Sequence, residues 1–243
     1  MKKIIICFLA FLLTGATISA QKTINDLNAQ KRDIGSFHGI EVATGIELLL
    51  TNGNVEEVAV SAFSAEYRDR IVTRVENGIL KIYYDSKLGA VNKRKETKDL
   101  KAYVSYKLLD LLHATTGAEV EINGILKSGS LDMDANTGAN IKGQIDIGSL
   151  KVTQNTGSRI NLSGKADKME VEGDTGSKFT GEEMVTTDCS VKVSTGAQVT
   201  VTAESALNVK ASTGGIVKYK GNATIREIKT TTGGTVKKIN DSK

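Results

Sequence analysis

VKVSTGAQVTV, Val191 to Val201, alternates apolar and polar residues on both sides of a central Ser-Thr-Gly. The alternation reads as a β-strand with one buried face, whereas Ser-Thr-Gly reads as a turn. Recurrence of the tripeptide resolves the conflict. Thr-Gly stands at Thr116, Thr137, Thr156, Thr175, Thr195, Thr213 and Thr232, at spacings of 21, 19, 19, 20, 18 and 19 residues. A near-constant period of this length marks a repeat architecture.

Aligning the copies on the Thr makes columns. Four residues before it stand Leu112, Met133, Val152, Val171, Val191, Val209 and Ile228; four after it stand Val120, Ile141, Ile160, Phe179, Val199, Val217 and Val236. Two residues after it the side chains are small: Ala118, Ala139, Ser158, Ser177, Ala197, Gly215 and Gly234. All these positions share one parity, so each copy buries one face of a period-2 pattern. A single copy cannot bury that face alone, but copies stacked ~4.8 Å apart bury a continuous core.

The expected fold class is therefore all-β, a single-stranded parallel β-helix (a solenoid) with rungs of 18–21 residues. Right-handedness is expected from the general rule for parallel crossovers. Seven rungs would stack to roughly 30 to 35 Å. Leucine-rich repeats need a fixed Leu-Asn/Cys pattern, and that pattern is missing. Cys189 falls in a column six before the Thr that is apolar in five of the seven copies, with Leu131, Leu150, Met169 and Leu207, so it reads as a buried hydrophobe, not a nucleophile. The polar residues just before each Thr, among them Asn136, Asn155 and Asp174, fit turns that hydrogen-bond their own backbone.

Residues 1–20 read as a signal peptide: Lys2 and Lys3, an apolar run from Ile4 to Leu13, then Ile18-Ser19-Ala20 before cleavage after Ala20. The run is half the ~20 residues that span a bilayer, so no transmembrane span is expected in the mature chain. Cys7 leaves with the leader and Cys189 remains alone, which predicts no intramolecular disulfide. The leader holds two lysines and no acid, so a net charge of +4 becomes +2 in the mature chain. That balance gives no reason to expect nucleic acid as a partner. The expected location is the periplasm, or the cell surface or medium.

The rest divides into a leader or linker at 21–35, a β-rich N-terminal capping region at 36–110, and regular rungs at 111–243, with 36–243 expected to be continuous. IEVATGIELLL, Ile40 to Leu50, repeats the rung parity around Thr44-Gly45. Asn52-Gly53 and Asn77-Gly78 sit between apolar runs and predict hairpins. SAFSAEYRDRI predicts a short helix, and the charged run from Ser86 to Asp99 an exposed loop. Lys237, Lys238 and Lys243 flank the last rung, where charge discourages end-to-end stacking.

FHGIEVATGIELLL, VEEVAVSA, VENGILKIYY and YVSYKLLDLLHATTGAEVEING, followed by Thr-Gly rungs, resemble the head GIN domain of auto-transporter adhesins, a family of exported Bacteroidetes proteins formerly of unknown function. The resemblance covers nearly the whole mature chain. It implies a β-helical fold and an adhesin-like role in the envelope, and it carries no family active site with it.

The chemistry-bearing residues are sparse. His38 and His113 have no second His or Cys at metal spacing, so no metal site and no cofactor are expected. Asp132, Asp134, Glu170, Glu172 and Asp174 are expected to face outward beside Lys151, and carboxylates on such a face keep a polysaccharide lyase or hydrolase as the alternative to a binding module. A purely structural envelope protein is the third reading. Three residues before the repeat Thr, the last rungs carry Lys192, Lys210 and Lys229, a basic strip for an anionic polysaccharide or other surface component. The expectation is thus an exported, non-enzymatic, adhesin-like binding module.

Overall fold

The computed structural model describes residues 26–87 and 97–240. The signal peptide, most of the charged run after Ser86, and Lys243 lie outside the described residues. In chain order the elements are β1 (Gln30–Arg32), β2 (Gly39–Val42), β3 (Glu47–Asn52), β4 (Glu57–Ser61), α1 (Ala65–Arg68), β5 (Ile71–Glu76), β6 (Ile79–Tyr84), β7 (Lys101–Tyr106), β8 (Leu111–Ala114) and β9 (Glu119–Ala135). They continue with β10 (Asn140–Gln154), β11 (Arg159–Gly173), β12 (Lys178–Val193), β13 (Gln198–Ala211), β14 (Ile216–Lys220), β15 (Thr224–Thr230) and β16 (Thr235–Lys238).

These strands wind into a parallel β-solenoid, and the aligned columns are its register. Val120, Ile141, Ile160, Phe179, Val199, Val217 and Val236 are successive partners along one ladder. Leu112, Met133, Val152, Val171, Val191, Val209 and Ile228 form a second. Both ladders are buried except in the last rung. The strand after each Thr-Gly forms a leading face, and the strand before it a trailing face.

The Thr-Gly pairs form the corners between these faces. Both residues have positive φ, Thr at 45 to 60° and Gly at 69 to 77°, the signature of a type I′ turn. The turn bond runs from the N–H two residues after Thr to the carbonyl before it, as in Ala139 to Asn136 at 3.1 Å. Each Gly N–H also donates to the Thr carbonyl of the next rung, Gly138 to Thr156 at 3.0 Å and Gly157 to Thr175 at 3.0 Å. The Thr side chains therefore point outward and are exposed. A β-branched residue pays about 1 to 2 kcal/mol in this conformation, and the local bonds offset part of that cost. Asn136, Asn155 and Asp174 each accept the following Thr N–H at 2.7 Å through Oδ1. Inside the corner, space admits only small side chains. A Cβ on Gly215 would sit 2.8 Å from Val193 Cγ2.

The N-terminal region extends both faces rather than forming a separate layer. β3 and β2 carry the expected additional rung, with Thr44 and Gly45 at φ 60° and 70° and with Leu48 on Val120 and Ile40 on Leu112. Beyond them the leading face runs through β7, β4 and β1, the last two added antiparallel. The trailing face runs through β6 and β5, an antiparallel hairpin closed by Asn77-Gly78. α1 matches the expected short helix, with the Ser64 hydroxyl accepting the Tyr67 N–H.

Asn52-Gly53 does not make a hairpin. β3 and β4 do not pair with each other but both pair with β7, so the chain leaves β3 and returns one strand away. Asn52 instead donates its Nδ2 to the Tyr106 and Lys107 carbonyls at 3.4 and 3.3 Å, and Gly53 N–H bonds the Tyr106 carbonyl. These tertiary bonds override the local turn preference.

Candidate binding face

The trailing face collects most of the charged residues singled out in the sequence. Glu172, Lys192, Lys210 and Lys229 are consecutive register partners, so the expected lysine stack forms. Neighbouring partners stand ~4.8 Å apart. The stack is not a bare row of cations, however. Lys192 Nζ lies 3.4 Å from Glu172 Oε1, and Lys210 Nζ 3.7 Å from Glu227 Oε2. Lys229 has no ion pair among the described residues. A shallow groove of about 320 Å³ runs between Glu172, Lys192, Lys210 and Glu227, lined also by Glu170, Ser190 and Asn208.

The carboxylates divide by location. Asp132, Lys151 and Glu170 are consecutive partners, so acid and base alternate along that ladder. Asp134 and Glu172 lie one column over, separated by Thr153. Asp174 leaves the face altogether and sits at a corner. Hydrogen bonds from the Thr195 side chain and the Thr175 backbone hold its carboxyl below the usual value.

Asp134 differs from its neighbours because burial pushes its carboxyl up, Asp132 adds to the rise and the nearby His113 opposes it. A raised folded pKa means that folding favours the protonated form, so the penalty is present above that pKa and vanishes as pH falls below it. Asp134→Asn should therefore raise Tm by about 2 °C at neutral pH. The gain should disappear toward pH 4, and thermal melts of the variant across that range check it.

The leading face holds a second groove, of about 420 Å³, that the sequence did not single out. Glu121, Lys142, Gln144, Asn161 and Ser163 line it together with Gly124 and Gly143. Lys142 pairs with Glu121 at 3.0 Å. The available signal was the run of amide, hydroxyl and charged residues five and seven positions after the repeat Thr.

Cys189 is buried as expected, and desolvation pushes its thiol up to about 12, which keeps it un-ionised and unreactive. His38 and His113 stay apart, His38 pairing with Asp110 at 2.7 Å and His113 standing between Glu41 and Asp134 in register. Among the described residues no helix is long and apolar enough to cross a membrane.

Three solved structures share this architecture. An adhesin-described protein from Bacteroides fragilis superimposes with a TM-score of 0.77 at 18% identity, over 87% of this chain and 96% of that one. One from Parabacteroides distasonis gives 0.70 at 16%, over 87% and 96%. A protein of the same species described as lipid binding gives 0.64 at 17%, again over 87% and 96%. At these identities the likeness establishes the fold alone. No curated protein matches the sequence. The family model described as "Putative auto-transporter adhesin, head GIN domain" matches residues 36–223. With the Thr-Gly corners and the capped solenoid in place across that span, the chain belongs to this adhesin family.

Proposed function

We propose that the protein is an exported, non-enzymatic adhesin-like module of the cell envelope that binds an anionic polysaccharide along its trailing face. The observation that carries this reading is the register stack of Lys192, Lys210 and Lys229 beside a polar groove. Exposed pairs such as Lys192–Glu172 contribute ~1 kcal/mol or less. An incoming carboxylate or sulfate can therefore exchange with Glu172 and Glu227 at low cost, and Lys229 has no ion pair within the chain among the described residues to be displaced. Ser190 and Asn208 add hydroxyl and amide groups suited to sugar hydroxyls. The cap and the rungs share one continuous sheet, which presents the strip.

The triple variant Lys192→Gln, Lys210→Gln, Lys229→Gln tests the reading. All three side chains are exposed, so the fold should persist. Affinity for polygalacturonate at low salt should fall about tenfold or more, from ~0.5 kcal/mol or more per lost contact. Unchanged binding would sink the proposal.

Asp134 supports a second reading, a polysaccharide-acting enzyme, because a carboxyl raised by burial is what a general acid needs. Asp132 lies two residues away on the same strand face, about 7 Å along the chain, within the separation used by inverting glycosidases. That reading requires Asp134→Asn to abolish cleavage of a polysaccharide that the unaltered chain cleaves.

A further inference from the structure

The two ends of the solenoid differ. At the N-terminal end the cap buries Phe37, Tyr67, Ile71 and Tyr84, and the first members of the core columns, Ile40 and Leu80, are fully buried. At the C-terminal end every residue of β15 is exposed. Ile228 is 41% exposed in a ladder whose other members are at 0 or 1%, and Ile225 is 45% exposed. Among the described residues the outer edge of β15 has no partner strand. An apolar edge with free backbone groups is a template for another strand.

The phase of the backbone fixes which groups are free. Thr231 N–H bonds the Ala211 carbonyl at 3.0 Å, so odd-numbered residues of β15 turn their polar groups toward β13. Ile228 and Thr230 therefore aim N–H and C=O at the open edge.

We propose that this edge pairs with the same edge of a second copy, antiparallel, across a two-fold axis at Ile228. In that register Ile228 faces Ile228 as a hydrogen-bonded pair, and the free groups of both strands are satisfied. Glu227 then stands opposite the second copy's Lys229, and Lys229 opposite its Glu227. Both fall in the non-hydrogen-bonded class, where side chains approach most closely. Of the other centres that the backbone phase allows, Thr230 sets Lys229 opposite Thr231, and Arg226 sets Glu227 opposite Ile225, so neither pairs opposite charges. The charge pattern thus selects one register. Because the opposite end is capped, the association closes as a dimer instead of growing into a fibre. Lys237 and Lys238 lie on β16, on the leading face of the same terminal rung.

Sedimentation equilibrium and light scattering on the purified chain at roughly 50 µM test the register as well as the dimer. The unaltered protein should be dimeric. Glu227→Lys or Lys229→Glu alone should weaken self-association about tenfold or more, because each places like charges opposite twice over. The double exchange, Glu227→Lys with Lys229→Glu, should restore it. Circular dichroism confirms that each variant remains a β-solenoid. A monomeric unaltered chain would leave the edge to a strand of some other protein and overturn the proposal. Folded double-exchange protein that fails to regain the dimer overturns it as well. Lys192→Gln with Lys210→Gln should leave the dimer intact, which separates this test from the polysaccharide reading.

Discussion

Phe179→Val should destabilise the solenoid by about 2 to 3 kcal/mol, and Gly181→Val by about 1 to 3 kcal/mol, yet the two together should cost less than about 1 kcal/mol. Phe179 is fully buried between Ile160 and Val199 in its ladder. Its ring lies over Gly181, where an added Cβ would come within 2.7 Å of the ring. In the next rung the same two positions are Val199 and Val201, both buried. The aromatic ring thus fills the volume that a second aliphatic side chain fills elsewhere. Truncating the ring alone leaves a cavity, and filling the glycine alone forces an overlap. The double change reproduces the packing of the neighbouring rung. Chemical denaturation of the three variants forms a double-mutant cycle, with an expected coupling of about 2 kcal/mol or more. Additive costs would show that the ring and the glycine do not share one space.

Gly164→Ala should be worse than any single truncation on the surface, at about 3 kcal/mol or more. Gly164 has φ 105°, outside the region open to side chains, and an added Cβ would overlap the Ile145 carbonyl oxygen of the preceding rung. That oxygen belongs to a backbone ladder fixed on both sides, so it cannot move away as a side-chain tip would. Gly157, in a Thr-Gly corner, provides the contrast. Its φ is 70°, but nothing lies within 4 Å of an added Cβ. Asn tolerates this conformation, so Gly157→Asn should cost less than about 1 kcal/mol. Melting both variants decides whether steric contact or backbone angle sets the penalty.

The core was legible in the sequence because a stacked rung reports each inward position once per period. The columns aligned on Thr are the partners in register, residue for residue, and Cys189 sits where Leu and Met sit in other rungs. The corners were legible as turns, but whether the Thr side chain faced in or out was not. That depends on a positive φ which β-branched residues avoid, and which the inter-rung bonds impose. The uneven spacing has a local cause that no pattern announces. Register shifts at Lys142/Gln144, Asn161/Gly164 and Gly181/Val185 absorb the extra residues where the leading strand bends away from its face.

The candidate site was half legible. Lys192, Lys210 and Lys229 stack as their common offset predicts, and Glu172 flanks them in register. Glu227 was missed because its partner Lys210 lies in the preceding rung and one column over, a diagonal contact that a column-by-column comparison does not show. The leading-face groove escaped for a different reason. Its lining mixes residue types within each column, and two of its lining residues are glycines, which contribute a shape but no chemical signal.

The corner bonds have an evolutionary consequence. Gly138 reaches only Thr156, Gly157 only Thr175, and so on up the stack, each with the same geometry. A duplicated block of about 19 residues would find at its new level the same donors, acceptors and apolar partners it left behind, and would lengthen the molecule by one layer of ~4.8 Å. Deleting a block would shorten it by the same step. Height is therefore a trait that can change by whole-number increments while the cap, the cross-section and the chemistry of the remaining faces stay as they are.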